Sequence, residues 1–187
     1  MKKTIGREIL EWVACLAAAV LITALLRNFV FTIVRVDGSS MEPTLYNNER
    51  LVMIRLGYEP EAGDIVVVDV SDKENISKQD KEKKRYIKRI IGMPGDVLRF
   101  EEAEGRIVVL RNGALLEETY ISSDVYSTMD MVLGTDYTVP EDFVFVMGDN
   151  RPRSADSRTK SVGYIHVDNV LGKAAFRFWP LNKIGTP

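Results

Sequence analysis

Cysteine and histidine are all but absent from this chain: Cys15 and His166 are the only ones among its 187 residues. A single cysteine excludes an intrachain disulfide framework, and one histidine beside it cannot build a multi-ligand metal cluster, so the fold must hold by ordinary packing. Cys15 reads as a small apolar residue inside a helix. His166, in the strand-like run 162–170, reads as structural, although one histidine could still serve a serine. A basic excess is missing as well. With 25 Lys and Arg against 27 Asp and Glu, a net charge of −2 and a pI near 5.6, the chain has no footprint for the phosphate contacts of nucleic-acid binding. Internal repeats and low-complexity linkers are also lacking. The length permits one full-sized core, or one modest domain with a short appended segment.

At its start the chain does carry a basic tip and an apolar run. Lys2, Lys3 and Arg7 precede a nearly uncharged stretch over residues 12–26, extended backwards by Ile9 and Leu10 and followed by Arg27, whose long stem can reach an interface. The pattern predicts one membrane span over residues 9–28, close to the roughly 20 residues that a hydrocarbon core requires. Positive residues stay cytoplasmic, which puts residues 1–8 inside and residues 29–187 outside. A cleavable leader fits less well, because Ala17, Ala18 and Ala19 fall inside the apolar run and bulky Phe29 stands where a small-residue cleavage region belongs. A buried helix of a soluble protein would show a polar face, and none interrupts residues 13–25 at helical spacing.

After Val34 the chain turns to short β-branched runs separated by turn signals, which predicts a mostly β body. Strands are expected at 29–36, 50–54, 64–70, 86–92, 96–101, 106–111, 114–116, 143–147 and 170–179. Asn112-Gly113 between apolar runs is a hairpin signal, since both residues accept positive φ, and Pro94-Gly95-Asp96 marks a second turn. Residues 71–84 carry mixed charge and almost nothing apolar, the composition of a solvated loop. A second surface loop is expected near 122–136.

Three polar clusters interrupt these strands. The first is Asp37-Gly38-Ser39-Ser40-Met41-Glu42-Pro43-Thr44-Leu45. A serine at a strand-to-turn junction can present its hydroxyl and a backbone N–H in one direction, supplying nucleophile and oxyanion donor from one loop, although serines beside Gly and Pro also simply make turns. The second spans residues 85–96, where strand alternation puts Lys88 on one face with Tyr86 and Ile90. Burial there disfavours the ammonium; bringing a lysine from near 10.4 to about 7 or 8 takes roughly 3 to 5 kcal/mol and yields a general base. The alternative is a lysine snorkelling at an edge strand. The third is Gly148-Asp149-Asn150-Arg151-Pro152-Arg153-Ser154-Ala155-Asp156-Ser157-Arg158. Asp156 and Arg158 can clamp this loop, Ser154 can orient a nearby amine, and the three arginines argue against a calcium ion.

Taken in order, the motifs resemble the type I signal peptidases, particularly the short bacterial form with one N-terminal anchor. An apolar span is followed by Ser-Met-x-Pro-Thr-Leu from Ser40, by Arg-Leu-Val and Gly-Asp-Ile-Val-Val within residues 50–67, by Tyr-Ile-Lys-Arg-Ile-Ile-Gly-Met-Pro-Gly-Asp from Tyr86, and by Gly-Asp-Asn-Arg-x-x-Ser-x-Asp-Ser-Arg from Gly148. The resemblance implies a mostly β fold of coiled antiparallel sheets preceded by one transmembrane helix, held in the cell membrane with its catalytic domain on the outer side. It implies removal of signal peptides from secretory preproteins at the bilayer surface, with no cofactor, metal or nucleic acid. Ser40 would be the nucleophile and Lys88 the general base, with Ser154 steadying the amine, Asp149 pairing near Arg89, and Asp156 pairing with Arg158. Pocket residues would be Val36, Met41, Leu45, Tyr86 and Ile87. The Ser40 N–H would form half of the oxyanion hole. Where some relatives place a second donor hydroxyl this chain has Gly38, which leaves a backbone or water donor there. A self-cleaving repressor-type protease would need a DNA-binding domain in place of the anchor, and a non-catalytic membrane tether of the same fold would lack cleavage altogether.

Overall fold

β-branched runs broken by Gly, Pro and Asn give many short strands, and the computed structural model, which describes residues 5–25, 30–71, 85–123 and 126–187, builds two antiparallel sheets from them. The described elements, in chain order, are one helix, α1 (Ile5–Leu25), and the strands β1 (Phe31–Arg35), β2 (Arg50–Ile54), β3 (Ile65–Asp69), β4 (Arg85–Gly92), β5 (Val97–Ala103), β6 (Arg106–Arg111), β7 (Ala114–Leu115), β8 (Asp136–Thr138), β9 (Phe143–Met147), β10 (Ile165–His166) and β11 (Val170–Trp179). The larger sheet runs β1-β2-β11-β3-β4-β9-β10 and the smaller β7-β6-β5-β8. Register shifts in β11 and at Ile90/Gly92 of β4 bend the larger sheet, so both sheets curl.

Burial follows position in the sheet. β3 lies between β11 and β4, so Ile65, Val66, Val67 and Val68 are all buried, the pattern of a strand covered on both faces. Val66 and Val68 pack with Ile90, Val146 and Ile165. Where the sheets meet, Leu98, Phe100 and Val109 pack against Ile91, Phe145 and Met147. A third cluster, Val36, Met41, Leu45, Leu51, Ile65 and Ala174, lies under the loop that joins β1 to β2. The expected hairpin forms: Asn112 and Gly113 have φ of 57° and 79°, and Leu110 pairs with Leu115.

The differences from the sequence reading have physical causes. β8 and β10 are too short to give an alternating signal, and Asp136 opens a strand instead of ending a loop. Tyr126 and Met131, within the expected 122–136 loop, pack on the core between the sheets. Most of the expected 71–84 loop, residues 72–84, lies outside the described residues. The expected span over 9–28 is corrected most: among the described residues no helix is long and apolar enough to cross a membrane. Glu8 and Glu11 occupy the first turns of α1, so its uncharged part covers only about 14 residues, about 21 Å against the roughly 30 Å of a hydrocarbon core. Residues 26–28 of that span lie outside the described residues. Trp12, Leu16 and Leu21 on α1 are nonetheless exposed.

Candidate active site

Strand β1 ends at Arg35 and the chain turns through Gly38, whose φ of 98° is open to glycine and strained for most other residues. The loop is closed at its base by Val36 N–H to Glu49 O (2.9 Å) and Asn48 N–H to Val36 O (2.9 Å). Met41 and Leu45 insert into the third apolar cluster and fix the loop from below. Ser40 emerges at its mouth, half-buried, beside β4. Lys88 of β4 is 3% exposed and its Nζ donates to Ser40 Oγ at 2.8 Å and to Ile87 O at 2.9 Å. Burial pushes the Lys88 amine down to about 8, against the opposing pull of the Asp156 and Asp149 carboxylates and with help from Arg158. An amine so placed is neutral in about a tenth of molecules at pH 7, far more than an ordinary lysine, and in that form can take the Ser40 proton.

The segment after β9 holds the Ser40 loop from the other side. Asn150 N–H donates to Ser40 O at 3.0 Å and Asn150 Nδ2 donates to Ser39 O at 2.9 Å. Gly148 fits between them because a Cβ there would overlap Ser40 O and Ser154 Oγ. Asp149, 1% exposed, receives Arg89 Nε at 2.9 Å and Nη2 at 2.7 Å, and also the Thr44 hydroxyl. This bidentate pair ties β4 to both loops. Arg158 Nε donates to Asp156 Oδ1 at 2.8 Å and its Nη2 to Oδ2 at 2.9 Å, with both side chains fully buried. Burial alone would raise the Asp156 carboxyl, but the Arg158 guanidinium outweighs it and holds it below the usual carboxylate range.

The expected site residues thus converge, with three differences. Ser154 is buried and close enough to favour the charged form of Asp156, yet its Oγ makes no hydrogen bond among the described residues and does not hold Lys88. The Gly38 N–H donates to Asn47 Oδ1 at 3.1 Å, so it is engaged within the loop. Leu45 lies wholly within the core, whereas Val36, Met41, Tyr86 and Ile87 line a cleft of about 540 Å³ that also contains Ser40 and Lys88. Sequence reasoning missed Asn150, Arg151 and Thr44 as structural partners. All three stood within the motifs, where Asn after Gly-Asp and Thr after Pro read only as turn residues. His166 lies away from this cluster: its ring packs edge-on against Phe143, and Nδ1 accepts from Asp168 N–H at 3.2 Å.

Known proteins share this arrangement of sequence. The profile of the family described as signal peptidase, peptidase S26, matches residues 9–179. A protein named Signal peptidase I from Bacillus licheniformis is 37% identical over 185 residues, covering 95% of this chain and 92% of its own. Signal peptidase IB from Staphylococcus aureus is 31% identical over 193 residues, covering 95% and 93%. A solved signal peptidase I from Enterococcus faecalis is 28% identical, with a TM-score of 0.43, and covers 62% of this chain and 97% of that one. The chain belongs to the signal peptidase family, peptidase S26.

Proposed function

We propose that this protein is a membrane-associated serine endopeptidase that removes signal peptides from secretory preproteins, with Ser40 as nucleophile and Lys88 as general base. The observation that carries this is the 2.8 Å contact between Ser40 Oγ and a buried Lys88 Nζ. With the amine neutral, its lone pair accepts the Ser40 proton as Oγ bonds to the scissile carbonyl carbon and the carbonyl oxygen takes the negative charge. The Ser40 N–H is one donor to that oxyanion. The Lys88 ammonium then protonates the departing nitrogen as the C–N bond breaks, leaving an acyl-enzyme. Water, deprotonated by the same amine, hydrolyses the ester and restores Ser40.

Substrate choice follows from the cleft. Val36 and Met41 are almost fully buried, so the wall they form with Tyr86 and Ile87 leaves room for small side chains and rejects large ones by overlap. Support for the membrane comes from two exposed apolar surfaces. One is α1; the other is the outer face of β1, β2 and β11, where Ile33 is 62% exposed and Trp179 48%. The names of the relatives supply the substrate class.

The test is cleavage of a preprotein with alanine at the first and third positions before the cut. Ser40→Ala should abolish product, and Lys88→Ala should slow it by about 10²- to 10⁴-fold. Wild-type rates from either variant would sink the dyad.

A further inference from the structure

Glu118 and Tyr120 lie on the segment after β7, remote in sequence from every motif of the site, and neither lines the cleft. Glu118 is nevertheless bound to the segment after β9 that holds the Ser40 loop. Arg151 is fully buried, and its guanidinium donates Nη1 to Glu118 Oε2 at 2.9 Å and to Tyr126 Oη at 3.1 Å, Nη2 to Glu118 Oε1, and Nε to Gly148 O at 3.1 Å. Tyr120 Oη donates to the same carboxylate at 3.1 Å, and its ring lies 4.0 Å from the Arg89 guanidinium that holds Asp149.

We infer that Glu118 is a positioning residue for the nucleophile, acting through Arg151 on the 148–151 turn that grips the Ser39 and Ser40 carbonyls; the inference rests on Ser40 being the nucleophile. A buried guanidinium stays where its counter-charge holds it. Glu118 therefore sets the place of Arg151, and the Arg151 Nε sets the place of Gly148 O. Gly148 has no slack, since even a Cβ would overlap Ser40 O, and Asn150 two residues on donates to both serine carbonyls. A displacement at Arg151 is passed to Ser40 with nothing soft between them. The cleft wall formed by Val36, Met41, Tyr86 and Ile87 lies outside this chain of contacts, so the effect falls on the chemical step and not on substrate binding.

The experiment measures kcat and KM on a soluble signal-peptide substrate for wild type, Glu118→Gln, Glu118→Asp and Ser40→Ala, with rates normalised to the folded fraction from near-UV circular dichroism. Glu118→Gln keeps the shape but removes the charge and turns an amide donor toward a guanidinium. It should lower kcat by about tenfold or more, the worth of a charge-assisted hydrogen bond, and leave KM within about twofold. Glu118→Asp, which keeps the charge, should recover part of kcat. The exposed neighbour variant Glu117→Gln should match wild type. Full kcat per folded Glu118→Gln molecule, even with a lowered Tm, would overturn the inference, and so would a change confined to KM. If Glu118→Gln does not fold, Tyr126→Phe removes one acceptor from Arg151 and should give a smaller kcat loss; an unchanged kcat there overturns the inference equally. Cleavage retained by Ser40→Ala would bring down the dyad reading instead, whereas an inactive Ser40→Ala beside an unimpaired Glu118→Gln rejects the positioning role alone.

Discussion

Lys88 gives up its hydration shell to stand beside Ser40, and two measurements follow from that single cost. Its amine falls from 10.5 to about 8, with burial as the leading cause. In the proposed mechanism cleavage depends on the neutral amine, so kcat/KM should rise with pH through about 8 and level above it; a rate flat from pH 6 to 10 would remove Lys88 from the mechanism. Stability carries the same signature. Below pH 8 both folded and unfolded chains hold the proton, and the folded chain bears the full desolvation cost, about 3 kcal/mol for that fall in pKa. Between about 8 and 10.5 the unfolded chain keeps a proton that the folded one has released, so stability rises with pH across that window. Lys88→Met should therefore be the more stable protein at pH 7, with the gap closing toward pH 10.5, as denaturant titrations at the two values would read. Ser40, Lys88, Asp149 and Asp156 were legible in the sequence because each is a polar residue that interrupts an apolar run, where burial without a task is costly. Glu118 sits in a polar stretch and carries no such mark. Its role comes from where the chain returns in three dimensions.

At the scale of elements, the strands placed from sequence have at least five residues, apart from the two-residue β7, which the Asn112-Gly113 turn marks; β2, β6, β9 and β11 have the expected limits. Apart from the β6–β7 hairpin, strand pairing was not legible, because period-2 alternation fixes which face a residue takes but not which strand lies beside it. The site depends on that pairing: β4 lies between β3 and β9, and β9 delivers Gly148 and Asn150 to the loop that bears Ser40. The loop itself is gripped at both serine carbonyls by one side chain and one backbone amide of Asn150. Gly148→Ala tests how tightly. Its Cβ would strike Ser40 O, which is backbone and cannot swing aside, so the variant should lose about tenfold or more in kcat even where it folds. Steady-state kinetics on folded protein would show it, and a kcat equal to wild type would mean that the turn yields without moving Ser40.

For the whole molecule, the question is where the apolar surface outside the core goes. On the outer face of β1, β2 and β11, Phe31 pairs with Ile54 and Ile33 with Val52, while Val52 pairs in turn with Phe176. Phe31, Ile33, Ile54, Phe176 and Trp179 are all exposed there, an apolar patch that Arg35 and Arg50 border on the same face. In water such a face invites aggregation, and at a bilayer surface aromatic side chains settle at the headgroup level. The loop that bears Ser40 runs between β1 and β2, so seating this face on lipid brings the cleft to the surface where a membrane-held signal peptide ends. Replacing Ile33 and Phe176 with aspartate puts two charges on the exposed face without touching the buried clusters. The double variant should cleave a soluble peptide as wild type does but process a preprotein embedded in lipid vesicles several-fold more slowly, about 1 kcal/mol of lost membrane partition. Equal slowing on both substrates would place the damage in the fold, and no slowing on either would remove this sheet face from any contact with lipid.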